Sequence, residues 1–357
     1  MMLQNYSKIL SKTLCIIALT GLFIKPFYLK AQATKEQKFI YPAQEWSDNK
    51  GKPINAHGGG ILFYHGVYYW YGEHKIDGKS EADLADGGIH CYSSTDLMNW
   101  TDAGIVLGVD YNNAAVDLQY GCILERPKVV YNKKTQKFIA YFKFYPKGNG
   151  YEVAYVGVAI AYSPTGPFIY SHKFLGGDTS KGSGDFSMFI DKNEELYHFA
   201  VRKPDKVFVM AKMRADYLMP ESNYAVCKGV ERHTEAPAII EVDGTYHLLG
   251  SSSTGWEANT ARQYTSTNLN GPWIEHDNPC VGTNTVNSMG CEKTFGGQSC
   301  FIFPVNGLKA AYIAMFDIWM PKMPINGRYI WLPFDIKNKK LSINWLDKWN
   351  TEVFQKK

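Results

Sequence analysis

Residues 61–71, ILFYHGVYYWY, decide the reading of this chain: two apolar, aromatic-rich runs meet at His65-Gly66, a pair suited to a tight hairpin turn. The pattern returns four times, as VVYNKKTQKFIAYF from Val129, MFIDKNEELYHFAV from Met188, IIEVDGTYHLLG from Ile239 and FIFPVNGLKAAYIAMF from Phe301. Asn132-Lys133, Asp191-Lys192-Asn193, Asp243-Gly244 and Asn306-Gly307 supply the turns. Each hairpin is followed by a looser unit: IHCYSSTDLMNW, GVAIAYSPTGPF, KVFVMAKMRADYL, ARQYTSTNLNGPW and YIWLPFDIKNKKLSINW. Four β-runs repeated five times, with almost no helical periodicity, predict an all-β chain folded as a five-bladed β-propeller. A two-sheet sandwich accounts for the strands but not for the fivefold self-similarity.

The repeats occupy residues 34–357. Residues 1–33 read as a secretory signal peptide: Lys8 and Lys12 precede an 11-residue apolar core, Leu14 to Ile24, and Ala31-Gln32-Ala33 has the A-x-A form of a cleavage site. A short membrane anchor is the competing reading of the leader. A secreted or periplasmic protein is expected, with no membrane segment in the mature form, because no later stretch has 18 uninterrupted apolar residues. The leader holds four lysines and no acid, so the remaining chain balances at 34 basic and 34 acidic residues. That balance, and lysine clusters such as Lys133, Lys134 and Lys137 that read as solvated turns, give no footprint for nucleic acid. Six cysteines remain after the leader, and in an oxidising compartment some are expected to pair. There is no C-x-x-C pair, and His57 has no second ligand at short spacing, so no metal site is expected.

The innermost strands of a propeller run in one direction, so their N-terminal ends meet at one mouth of the central channel. The residues three or four positions before the five runs are His57, Glu125, Asp185, Glu235 and Gln298. A ring of such groups is a candidate active site. Neighbouring carboxylates raise one another's pKa, which is how a carboxylic acid stays protonated for glycoside hydrolysis. Trp256, Trp319, Tyr71 and Tyr120 are placed at the mouth as apolar faces for sugar rings, with inter-blade packing the alternative for the two tryptophans. Bland readings stand beside these: Glu235 as a turn residue before Pro237, Glu125 as an ion-pair partner of Arg126, Asp185 as a turn cap, Gln298 as a satisfied polar residue beside a Gly-Gly turn.

In order along the chain, INAHGGGILFYHGVYYWYGEHK, ERPKVVYN, SGDFSMFID, TEAPAIIEVDGTYHLLGSSSTGWEAN, GPW with NPC, GGQS, and FDIW with RYIWLPF resemble glycoside hydrolase family 43 from about Asn55 to Trp349. More narrowly they resemble its exo-β-1,3-galactanase branch. The resemblance implies an inverting enzyme without a cofactor, a monomer, that releases galactose from the β-1,3-galactan backbone of arabinogalactan. It implies that Glu235 is the general acid, that Glu125 orients and tunes it, and that Asp185 binds the sugar. The family's usual base, an Asp in the first blade, is missing from AHGGG, and Gln298 matches the glutamine that stands in for it in the galactanase branch. A neutral amide acts there as its imidic tautomer or by positioning water for a proton relay. Glu73 is expected to hydrogen-bond sugar hydroxyls, and His57 to form a wall of the site. Asp317-Ile318-Trp319 departs from the family's D-R-W and puts the exact sugar in question; Asp317 and Trp319 are still expected at the substrate. An inverting pair should stand about 6.5–9.5 Å apart. The alternatives are an exo-α-L-arabinofuranosidase or β-galactofuranosidase on the same scaffold, and a carbohydrate-binding propeller without catalysis.

Overall fold

The hairpins and their followers build five antiparallel sheets in a computed structural model that describes residues 36–355. The leader assigned to residues 1–33 lies outside them. Four sheets have four strands each in simple meander order; the fifth has five, because Cys280–Val281 joins its outer strand Lys340–Asn344 in parallel. The innermost strands are His57–Tyr64, Ile123–Asn132, Ser183–Ile190, Thr234–Val242 and Gln298–Pro304. Each packs against the next, and the fifth against the first, closing a ring. This is the five-bladed β-propeller expected from the repeats.

The hairpin turns divide by length. His65-Gly66 and Asp243-Gly244 have both central residues at positive φ, as a two-residue type I′ turn requires. The fifth hairpin is different: Pro304 pairs with Tyr312, so Asn306-Gly307 is part of a longer connection.

Both faces of every sheet are covered, which is why the strands read as continuous apolar runs. Consecutive residues face opposite neighbours. Trp70 packs into the seam with blade 5 while Tyr71 packs into the seam with blade 2; Val129 and Val130 divide between blades 1 and 3 in the same way. The core is therefore five wedges, one per seam. Tyr71 is fully buried in its wedge and donates its hydroxyl to the Pro164 carbonyl at 2.6 Å, so it cannot face a sugar as the sequence reading placed it. Tyr120 packs at the edge of the same wedge with its ring stacked on Tyr111. The six cysteines are free thiols, five of them buried, spread among the wedges as small apolar residues, and the expected disulfides are not formed.

The seam between blades 5 and 1 joins the first and last described segments of the chain. Ile40 bridges to Trp349, the Ala43 amide donates to the Tyr329 carbonyl, and the Tyr329 hydroxyl sits between the Ala56 N–H and the Ile54 carbonyl at 2.9 Å each. Trp46 from this strap lies against Trp70, Tyr329 and Trp331, and Trp100 closes the cluster edge-on to Trp70. Among the described residues no strand of one blade joins the sheet of the other here, so the strap and its indoles carry much of the closure. Trp70→Ala should cost roughly 3–5 kcal/mol, read as a lower urea midpoint. Substituting the exposed Tyr162 should move it by well under about 1 kcal/mol.

Candidate active site

One irregularity recurs at the mouth of each blade. Every innermost strand carries one extra residue relative to its partner strand, immediately after or around the predicted site residue. In three blades the bulged residue has positive φ: Gly58 at +58°, Arg126 at +52° and Ala236 at +53°. A bulge ends the regular ladder and re-aims the side chain beside it. Gly58 is needed here, because a Cβ would stand 2.3 Å from Glu73 Oε1.

The bulges surround a cavity of about 510 Å³ lined by Glu73, Glu125, Arg126, Lys143, Tyr151, Asp185, Glu235, Trp256, Gln298 and Trp319, with Lys206, His233 and Ser253 on the rim loops. Glu125 accepts from Lys143 Nζ at 2.8 Å and from the Tyr151 hydroxyl at 2.9 Å. Asp185 accepts from Lys143 Nζ at 3.0 Å and from Arg126 Nε at 3.1 Å. Arg126 reaches Gln298 Oε1 with Nη2 at 2.5 Å and lies over the Trp319 ring at 5.5 Å. Gln298 is held on every side. Its carbonyl also accepts from Trp319 Nε1 at 2.9 Å, and its Nε2 donates to Glu235 Oε1 at 3.1 Å and Ser251 Oγ at 3.0 Å. Arg and Trp can only donate, which fixes which end of the amide is oxygen. Trp256, 40% exposed, stands edge-on to Trp319 at the open side.

This environment separates three carboxyls. Burial raises the pKa of Glu235, and the negative charge of Asp185 raises it further. Burial also acts on Asp185 and Glu125, but there it is outweighed. The Arg126 and Lys143 cations hold Asp185 well below its ordinary value, and Lys143, with help from Lys75, holds Glu125 below its own.

Four predicted residues stand apart from this cavity or are differently occupied. His57 is buried behind the wall, stacked on Tyr329 at 5.2 Å, and burial lowers its pKa to about 3. Asp317 is buried beside it, 4.0 Å from His57 Nδ1, with its pKa raised to about 6 by burial. Neither lines the cavity. Glu73 reaches the wall but is only 2% exposed, and its oxygens accept from the Arg126 backbone N–H at 2.8 Å and Lys75 Nζ at 2.9 Å, which leaves it poorly placed for sugar hydroxyls. Gln298 touches Glu235 directly at 3.1 Å, so the acid-to-base separation of about 6.5–9.5 Å expected for an inverting pair is not found between these two residues. Ile318, where the D-R-W arginine was missing, pairs with Arg328 across the sheet, and it is Arg126 from blade 2 that covers Trp319.

Sequence reasoning missed Lys143, Tyr151 and Ser251, and took Arg126 only as an ion-pair partner. Counting back along each hairpin sets Phe144 opposite Glu125 and Ser252 opposite Glu235; only the bulges bring Lys143 and Ser251 to those places. Tyr151 arrives on a loop. Among the described residues no group of three or more His, Cys, Asp or Glu could hold a metal ion.

Solved structures similar to this chain include a GH43 β-1,3-galactosidase, BT3683, with galactodeoxynojirimycin: 35% identity, TM-score 0.80, over 87% of this chain and 100% of that one. A second GH43 β-1,3-galactosidase, BT0265, is 32% identical with TM-score 0.81, over 89% of this chain and 65% of that one. The exo-β-1,3-galactanase of Phanerochaete chrysosporium, solved with β-1,3-galactotriose, is 28% identical with TM-score 0.76, over 88% of this chain and 68% of that one. No curated protein sequence matches the chain. The model of glycosyl hydrolases family 43 matches residues 60–306, which include the mouth bulges of blades 2 to 5, and the chain belongs to that family of glycoside hydrolases.

Proposed function

We propose that this glycoside hydrolase is a secreted or periplasmic, monomeric, inverting exo-β-1,3-galactanase that releases galactose from the β-1,3-galactan backbone of arabinogalactan. The observation that carries the assignment of roles is the divergence of three carboxyls in one cavity: Glu235 pushed up, Glu125 and Asp185 held down. Groups whose pKa values are driven apart divide into acid and anion. Glu235 is the general acid that protonates the glycosidic oxygen. Glu125 and Asp185 stay ionised, orient the sugar hydroxyls through the Lys143 and Arg126 network, and offset positive charge that develops at the anomeric carbon. The substrate class rests on the relatives above, two named as β-1,3-galactosidases and one as an exo-β-1,3-galactanase holding β-1,3-galactotriose.

Gln298 positions the attacking water. The imidic tautomer would carry its proton on Oε1, which faces only the donors Arg126 and Trp319. Nε2, by contrast, is aimed at the place Glu235 occupies before substrate enters. Inversion needs acid and water on opposite faces of the ring. The incoming galactose therefore parts Glu235 from Gln298, takes up the space between them, and frees an Nε2–H for water. As water oxygen bonds to C1, the C1–O bond breaks and the leaving oxygen takes the Glu235 proton. The water proton is relayed to an ionised carboxylate of the cavity.

Chain from Thr34 onward, incubated with debranched β-1,3-galactan, should release galactose as the α-anomer by proton NMR. Glu235→Gln should lower kcat roughly 10²–10⁴-fold. Release from an aryl arabinofuranoside or galactofuranoside instead would overturn the substrate, and binding without release from any of them would point to a lectin-like propeller.

The pH profile gives a second check. Activity is lost as pH rises through the Glu235 pKa and as pH falls through those of Glu125 and Asp185. The Lys143 cation lowers all three. Lys143→Gln should therefore move both limbs of the kcat/KM profile to higher pH, the acid limb more, because Lys143 touches Glu125 and Asp185 directly.

A further inference from the structure

Behind the cavity wall, Lys75 is 1% exposed and ends in three carboxylates: Asp86 Oδ1 at 2.6 Å, Glu73 Oε2 at 2.9 Å and Glu81 Oε1 at 3.0 Å. All three ammonium N–H groups are thereby used. Two of these carboxylates turn their other oxygen to blade 2. Asp86 Oδ2 accepts from the Leu124 backbone N–H at 3.1 Å, and Glu73 Oε1 accepts from the Arg126 backbone N–H at 2.8 Å. Those two amides flank Glu125, in the segment where the bulge breaks the ladder and Arg126 takes positive φ. Glu81 fixes the third side, since its own amide donates to the Pro321 carbonyl on the blade 5 rim.

We propose that Lys75, through Glu73 and Asp86, is the positioning element for Glu125 and Arg126: a buried ammonium in blade 1 that holds two carboxylates as a clamp on the bulged backbone of blade 2. The proposal rests on the reaction assigned above. Arg126 is itself the residue at positive φ and Glu125 stands immediately before it, so their directions depend on how that short segment is held. Its ordinary sheet partners cannot hold it, because the ladder is interrupted between Glu125 and Lys128. The clamp gives an acceptor to the Arg126 amide inside that interruption and to the Leu124 amide just before it. It also reaches further than its contacts, because Arg126 is the group that orients Asp185 and Gln298. Without Lys75, three buried carboxylates repel one another, and the two that grip the bulge are driven to protonate or turn away. The burial cost to the Lys75 ammonium is itself outweighed by Asp86 and Glu73, which keep it charged.

A purely stabilising ion cluster and a clamp make different predictions. The measurement is a double-mutant cycle, Lys75→Met in the wild type and in Glu125→Gln, read as kcat/KM on a β-1,3-linked galactotriose. A clamp predicts a loss of roughly 30-fold in the wild type and a much smaller one, roughly threefold, in the Glu125→Gln background, where only the aim of Arg126 is left to lose. Equal losses in both backgrounds would overturn it. Hydrogen exchange gives an arm free of activity, so it still decides if the galactan reading fails. The amides of residues 124–126 should lose protection in Lys75→Met while those of residues 238–242 keep theirs. Uniform loss, or no change at residues 124–126, overturns the clamp. Should Lys75→Met not fold, Asp86→Ala removes both acceptor oxygens of one jaw and leaves Lys75 paired with Glu73 and Glu81. It should loosen the Leu124 amide and lower kcat several-fold with Tm held, and an unchanged Leu124 amide would count against the clamp.

Discussion

Buried charge at the channel mouth must be paired, and that constraint organises the rest of this propeller. Arg126, Lys143 and Lys75 are all withdrawn from water, as are Glu73, Glu125, Asp185 and Asp86. Removing one member of such a set typically costs about 3–5 kcal/mol, because its partners are left charged and unsolvated. Each blade supplies only some of these charges. Arg126 from blade 2 pairs with Asp185 of blade 3 and Gln298 of blade 5, and Lys75 of blade 1 holds the carboxylates that grip blade 2. Closing the ring and assembling the cavity are therefore one event. Apolar wedges bring the blades together without fixing their tilt; the charge network accepts only the tilt at which every ion has its partner.

Deeper in the channel the same problem is solved with backbone. Lys128 has no carboxylate in contact. Its ammonium donates to the Gly58 carbonyl at 2.9 Å, and to those of Pro127 and Arg126 at 3.3 and 3.4 Å. Burial lowers its pKa to about 8. Gly60, against which the Lys128 stem packs, leaves room for it, since a Cβ there would stand 3.0 Å from that stem. The AHGGG segment thus serves as floor rather than as reagent: it carries the bulge, a carbonyl for Lys128 and space for Glu73. His57 at its head is neutral, buried and turned towards Asp317 and Tyr329.

Legibility in the sequence followed locality. Turn chemistry and apolar runs are local, so five blades could be counted and their innermost strands aligned. The polar residue heading each run followed from that count, and Glu125, Asp185, Glu235 and Gln298 do line one cavity. What failed was anything that depends on which face a residue takes after a bulge. His57 lies in the right strand, beside its bulge, and stays out of the cavity. An inserted residue reverses the alternation on which the reading relied. Lys75 was invisible for a related reason. A lysine at the end of a strand reads as solvent-facing, and only the approach of Glu73, Asp86 and Glu81 from separate segments makes it buried.

The amide at position 298 makes sense in these terms. Its site offers two obligate donors, Arg126 and Trp319, to one end and a carboxyl, Glu235, to the other. A side chain that accepts at one end and donates at the other is required, and at that length only glutamine provides both. A glutamate there would set a second carboxyl at hydrogen-bonding distance from Glu235. The pair would share one proton, as like charges in contact must, and the proton that the proposed reaction needs for the glycosidic oxygen would be held between them. Asp185 already raises Glu235 from within the cavity. A further anion in contact is thus unnecessary for keeping the acid protonated, and it would compete for its proton. In the reaction proposed above, the neutral amide leaves the Glu235 proton free and directs an N–H towards the attacking water.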